Sequence, residues 1–506
     1  MLLFYILIKS HKDIKNFSKF TNTWVETTYF SYLWAIIKLI IKFLDQMAPT
    51  LNKRIGTIDM LRGLAIFGMI LCGNIGFGSG LSGWMFHCQT PPPTYAFNPA
   101  NVGITWVDLV FPFFLFTMGA AFPLAMRKKL DSGVSRWSIS GNLFRRWLTL
   151  AIFALVLGNG YRTGSSARPD YQEYLFNIGL WSVMFMSLVR LDGKTWGKHL
   201  NNAGLFLLVV MAFIRVDYFQ VPLNRWNSNI IIMIMAYIAL FGGLIWMFTK
   251  NNLKLRWIIL FSIGGIKFLS AHVPQALEWA PKFASVAWIF RWKFLQYLFI
   301  AVSGSIVGDL LLSHSKSGKT LDLNGKYVAA GFIAIAAVVL QLWGLYTRNV
   351  LADFIISAVL AIAFICLTIK EYNIMGKIGT IGFLLMLIGI ALDPVDGGIT
   401  KDHCNLSYLF TTSGMAALTV SFFLLLEFKW KIQDAGLTGC GQNPMMAYTI
   451  TNFLTTPLLS LVGIGSWLNT ICIGSPFWGI MRGLIYTLLM VLITTFFTKK
   501  KLFWRS

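Results

Sequence analysis

The chain has 506 residues, 56% of them hydrophobic and 12% charged, with a mean hydropathy of +0.65 and a formal net charge of +23. A soluble globular domain carries about 25% charged residues, so the composition excludes one and predicts an all-α polytopic bundle buried in the lipid bilayer. In a soluble protein such a charge would point to nucleic acid, but here most Lys and Arg fall in short loops between apolar segments, as orientation by cytoplasmic positive charge produces; no nucleic-acid partner is expected.

Residues 1–52 read as a leader or interfacial segment. MLLFYILI is too short to span, SHKDIKNFSKF is polar and basic, and YFSYLWAIIKLIIKFLDQM carries Lys38 and Lys42 in a pattern that suits an interfacial amphipathic helix. The segment lacks the small-residue cleavage site of a secretory signal, and Met47 is a second candidate start. Residues 53–506 read as one transmembrane domain. Windows of about 20 apolar residues mark helical spans, starting near residues 58, 105, 147, 174, 203, 229, 256, 292, 327, 350, 374, 407, 443 and 476. Some are short enough to be re-entrant, so the expected count is an even number between about ten and fourteen.

The loops assign sides. Arg127, Lys128, Lys129, Arg136, Arg145 and Arg146 crowd one loop, and Lys194, Lys198, Lys250 to Arg256, Lys316 to Lys326, Lys370, Lys377, Lys429, Lys431 and Lys499 to Lys501 fill later ones. All fall on one side if every segment spans, which makes that side and both ends of the core cytoplasmic. The loops holding His87, Arg168, Lys282 and His403 then face outward. No alternating strand pattern points to a barrel. No internal repeat is visible, which weakens a transporter reading.

The six cysteines show no CxxC or metal-ligand spacing; buried free thiols are expected, with a Cys88–Cys404 bridge left open by their common side. His11, His199 and His314 read as surface residues. His87, His272 and His403 map to the outer face, but without HxH or HExxH spacing no metal site is expected. His87 stands in GWMFHCQTPPP, where Trp84 and Phe86 would seat the loop at the interface and Pro91, Pro92 and Pro93 stiffen it. The pattern alone leaves it either a general base or a histidine that only bonds its loop. Asn74, within GNIGFGSG, reads as a group that orients substrate or donates to an oxyanion, or else as an interhelical hydrogen-bond former. Asp108 either holds the imidazole tautomer of a catalytic histidine or caps its helix. Asp59 and Arg62 share one helix face, as a structural ion pair or as a grip on an anionic nucleotide. GTGCGQNP matches neither a P-loop nor a dinucleotide fingerprint, and no nucleophile elbow occurs.

IDMLRGLAIFGMIL, followed by Asn74, His87 and GITWVDLVFPFFLFTMG, resembles the heparan-α-glucosaminide N-acetyltransferase family, in particular bacterial relatives of largely unassigned substrate. Two later pieces agree: ITKDHCNLSYLFTTSG around Lys401 and Ser407, and GCGQNPMMAYTI around Asn443 and Tyr448. The resemblance implies a transmembrane acyltransferase that moves acetyl from cytosolic acetyl-CoA to an amine or hydroxyl of a glycan on the outer side. His87 would be its essential histidine and Asn74 its motif asparagine; Asp108, read from its own position, is the third catalytic candidate. Asp59, Arg62, Lys401, Asn443 and Tyr448 are the candidates for holding acetyl-CoA. The Asn74 to His87 stretch and the proline-rich loop after His87 are longer than in the animal enzyme, which bears on the carbohydrate acceptor because this loop is expected to help form the outer mouth; no counterpart of that enzyme's lumenal N-terminal domain is expected. The rival reading is a glycan or lipid-intermediate transporter, and a structural membrane subunit ranks below it. A bacterial cytoplasmic membrane is the expected location, and a homodimer is left open.

Overall fold

A computed structural model describes residues 56–160, 169–191, 196–272, 288–289, 291–317, 321, 323–370 and 373–504. The predicted leader, Lys194, Arg168 and Lys282 lie outside the described residues. In chain order the helices are α1 (Gly56–Asn74), α2 (Val110–Asp131), α3 (Arg136–Gly160), α4 (Asp170–Leu188), α5 (Trp196–Phe213), α6 (Ile230–Tyr237), α7 (Gly243–Thr249), α8 (Leu253–His272), α9 (Leu298–Ser317), α10 (Gly325–Thr347), α11 (Val350–Thr368), α12 (Ile374–Leu392), α13 (Leu406–Phe428), α14 (Ala435–Gln442), α15 (Pro444–Ile450), α16 (Thr456–Leu461), α17 (Ile464–Ile471) and α18 (Pro476–Lys499). Two short strands, β1 (Val189–Arg190) and β2 (Phe503–Trp504), pair antiparallel and tie the end of α4 to the tail.

A helix occupies each of the predicted positions, but those near 174 and 256, Asp170–Leu188 and Leu253–His272, are not among the helices apolar enough to span. Eleven among the described residues are long and apolar enough to cross a membrane, or twelve if the pair Pro444–Leu461 and Ile464–Ile471, bent by 93°, counts as one span. Both counts fall in the expected range, and only twelve keeps the even parity. The protein is an all-α helical membrane bundle.

Helix ends follow local chemistry. Asn229, Asn324, Asn373, Asn405, Asp434 and Ser475 each accept from a first-turn N–H of the helix they precede, satisfying donors that have no partner inside the helix. The start of α1 is capped from a distance. Glu427, at the end of α13, accepts from Gly56 N at 2.8 Å and Thr57 N at 2.7 Å, placing a carboxylate at the positive end of the helix.

Helix α13 forms the centre. It is buried along nearly its whole length and packs against α1, α2, α9, α10 and α12. Helices α1 and α14 cross so closely that a methyl added at Gly63 would collide with the Leu437 carbonyl, and one at Gly441 with that of Asp59. Lipid supplies little hydrophobic drive between helices, so close backbone contact through small residues is what holds such a pair. The first span and its neighbours thus form a firm base, and the loop that leaves α1 carries His87.

Candidate active site

The segment between α1 and α2 is built before it is functional. The rings of Phe77, Phe86 and Tyr95 cluster with centroids 4.8 to 5.6 Å apart, and Trp84 packs edge-on to Trp343 and Tyr346 of α10. Inside the loop, Gln89 donates to Asn101 O at 2.9 Å and accepts from Asn98 N through its own carbonyl at 2.8 Å. These contacts leave His87 37% exposed beside a fully buried Asp108.

Asp108 lies in a 3-10 turn (Trp106–Leu109) that leads into α2. Its two oxygens divide the two roles left open by the sequence. Oδ2 accepts from Thr105 N at 3.0 Å and Thr105 Oγ1 at 3.3 Å, which closes a capping box; it also takes the Cys88 N–H at 3.4 Å. Oδ1 meets His87 Nδ1 at 2.7 Å. An ionised carboxylate only accepts, so Nδ1 carries the proton and the lone pair is on Nε2, on the side of the ring away from Asp108. Tyr408 OH donates to the Asp108 backbone oxygen at 2.8 Å and anchors the turn to α13.

Lys401 completes the group. Its Nζ lies 3.0 Å from His87 Nδ1, 3.3 Å from Nε2 and 3.7 Å from Asp108 Oδ1. The sequence groups Lys401 with the acetyl-CoA candidates; the structure sets it against the imidazole, from a loop 314 positions away. An imidazole with one nitrogen held, a buried carboxylate behind it and a cation beside it is equipped to take and return a proton next to a developing negative charge. Burial, reinforced by the Asp108 carboxylate, pushes the adjacent Cys88 thiol up to about 11.

The other predicted residues have different surroundings. Asn74 Nδ2 donates to Ile70 O in its own helix at 2.8 Å, and its backbone oxygen accepts from Arg482 at 2.8 Å; a donation to substrate would have to use the second amide hydrogen. Arg62 pairs with Asp59 at 3.5 Å and directs its fork to Gly441 O and Thr117 O, both at 3.1 Å, so it joins α1, α2 and α14. Asn443 grips the tail through Leu502 O at 2.9 Å and Trp504 N at 3.1 Å. Tyr448 OH accepts from Asn229 Nδ2 at 3.1 Å. His272 and His403 have partners of their own: the His272 ring faces the Phe268 and Val395 carbonyls at 3.0 and 3.2 Å, and His403 O accepts from Lys267 at 3.0 Å. Among the described residues no cluster of three or more His, Cys, Asp or Glu is gathered as for a metal. Cys88 and Cys404 are free.

The model of the family described as "Domain of unknown function (DUF5009)" matches residues 54–311. The chain belongs to this family. Helices α1 to α8, with His87 and Asp108, lie inside the matched stretch, whereas Lys401 comes from beyond it. The chain is also 29% identical over 115 residues to heparan-alpha-glucosaminide N-acetyltransferase of Homo sapiens, and 30% over 113 residues to the enzyme of that name from Mus musculus. Each match covers 22% of this chain and 15% of the relative. The relation of this DUF5009 protein to the N-acetyltransferases is therefore distant.

Proposed function

We propose that the protein is a membrane acyltransferase that moves acetyl from acetyl-CoA to an amine or hydroxyl of a carbohydrate. The observation that carries this reading is the His87–Asp108 hydrogen bond at 2.7 Å with Lys401 3.3 Å from Nε2, in a chain distantly related to named N-acetyltransferases. The acceptor's nitrogen or oxygen attacks the thioester carbonyl carbon while Nε2 of His87 takes its proton. Asp108 stabilises the resulting imidazolium through Nδ1. Lys401 faces the negative charge that gathers on the carbonyl oxygen. The oxyanion collapses, the C–S bond breaks, and the CoA thiolate leaves with the proton returned by Nε2. General-base catalysis of this kind contributes roughly 10²–10⁴-fold. An acetyl-histidine intermediate, in which Nε2 itself attacks the thioester, is the variant within the class. The basic loops support an arrangement in which acetyl-CoA enters from the cytoplasm and the His87 loop faces outward.

The test is acetyl-CoA binding and CoA release by purified protein in nanodiscs, with a panel of amino sugars and glycans, wild type beside His87→Ala. Wild type is expected to release CoA with at least one acceptor, and the variant to bind acetyl-CoA without turnover. Wild type that does not bind acetyl-CoA would overturn the reading and make transport the working hypothesis. Radiolabel retained on wild type without acceptor, and lost in His87→Ala, would decide for the acetyl-histidine route.

A further inference from the structure

We infer that Arg348 is a positioning residue of this site: it locks the loop that carries Lys401, and so sets the distance between Lys401 and the His87–Asp108 pair. The inference rests on the acyltransferase reading and extends it to a residue that touches none of the three groups. Arg348 follows the last turn of α10 with φ +64°, a left-handed conformation. Glycine or asparagine ordinarily takes such a position, because a Cβ there is unfavourable. The helix end therefore does not call for an arginine, but the side chain has a partner that does.

Its guanidinium makes a two-pronged bond to Asp393, Nη1 to Oδ2 at 2.9 Å and Nη2 to Oδ1 at 2.7 Å. Asp393 is 2% exposed and its Oδ2 also accepts from Ile399 N at 2.7 Å. Paired forks of this kind fix direction as well as distance. Ile399 in turn accepts from Gly103 N at 2.7 Å, which stitches the loop to the segment that ends in Thr105 and Asp108. On the far side, Asn405 donates to Gly398 O at 2.7 Å and accepts from Thr400 N at 3.2 Å. Lys401 stands between these two sets of bonds. The residues on either side of it are held, so its ammonium is delivered to one place above the imidazole rather than left to range over the outer face.

The experiment uses Arg348→Gly, which suits the left-handed backbone and removes the fork, with Arg348→Lys, Lys401→Gln and the Arg348→Gly/Lys401→Gln double variant beside wild type in nanodiscs, each checked for wild-type thermal unfolding. Misplacement of a reacting group by about 1 Å costs on the order of 100-fold, so kcat for CoA release in Arg348→Gly is expected to fall by about that factor with KM for acetyl-CoA unchanged. Arg348→Lys, which keeps the charge without the fork, falls in between. The double variant loses no more than Lys401→Gln alone, because both act through one ammonium. A second readout does not depend on turnover: acylation of Lys401 by an amine-directed reagent, read by mass spectrometry, rises several-fold in Arg348→Gly as the amine leaves its partners. Wild-type kcat in Arg348→Gly, or losses that multiply in the double variant, would overturn the inference. Unchanged Lys401 labelling overturns it even where wild type shows no acyl transfer, the outcome in which the proposed function fails on its own account.

Discussion

Asp108→Asn separates a carboxylate that serves catalysis from one that only caps a helix. The substitution preserves shape at a site that has no exposure and five contacts: His87 Nδ1 at 2.7 Å, Thr105 N at 3.0 Å, Thr105 Oγ1 at 3.3 Å, Cys88 N at 3.4 Å and Lys401 Nζ at 3.7 Å. An amide has one accepting oxygen instead of two. With that oxygen towards Thr105 the cap survives, and the NH2 group faces His87 and donates to Nδ1. The ring proton then moves to Nε2, and the lone pair that would take the acceptor's proton is gone. Loss of a hydrogen bond to a charged group is worth about 1.5–3 kcal/mol, or roughly 10–150-fold by the usual conversion. With the tautomer reversed as well, the expected fall in kcat is about 10²–10⁴-fold. Thermal unfolding and acetyl-CoA affinity should stay close to wild type, because the cap and the fold remain. The assay is CoA release at saturating acetyl-CoA and acceptor, with both controls on the same preparation. A folded Asp108→Asn protein with kcat within about threefold of wild type would refute the reasoning and leave Asp108 as a helix cap, since a lost transition-state contact must appear in kcat.

Arg62→Ala should destabilise the bundle by about 3 kcal/mol, the scale of a lost charge-assisted hydrogen bond, because it unlinks α1 from Thr117 and Gly441; thermal unfolding in nanodiscs measures it. A raised acetyl-CoA Kd with unchanged stability would instead place the arginine on the nucleotide. Gly63→Ala should cost about 1–3 kcal/mol by overpacking against the Leu437 carbonyl, and unaltered unfolding would argue against so close a crossing of α1 and α14. Alkylation of Cys88 should be slow at pH 8, about 100-fold below an unburied thiol, and climb tenfold per pH unit towards about 11, since burial postpones the thiolate to higher pH. Asp108→Asn should speed it by removing the neighbouring charge, and a rate already level by pH 9 would contradict the raised value.

The spans were readable from the chain alone because hydropathy is a local property: about 20 apolar residues in succession have no other way to satisfy their backbone in lipid than a helix. The helix starts at Asn229, Asn324, Asn373, Asn405, Asp434 and Ser475 are local in the same sense, each cap lying within three residues of the N–H it serves. His87 and Asp108 stood out as polar residues beside apolar spans, where such groups are expensive. Whether Asp108 caps or orients could not be read there, since both need a carboxylate in that place; the fold lets one oxygen do each. Lys401 shows where local reading stops. Its partner is 314 positions away, and nothing in its surrounding residues records that these two loops meet. The same holds for Arg62, whose fork points to carbonyls that reach it only because Gly441 lets α14 approach α1, and for Arg348, whose carboxylate partner lies on the far side of two helices. In a membrane bundle the helices are chosen by composition, but the pairs that meet are chosen by close packing between small residues and by hydrogen bonds formed only once the helices are docked.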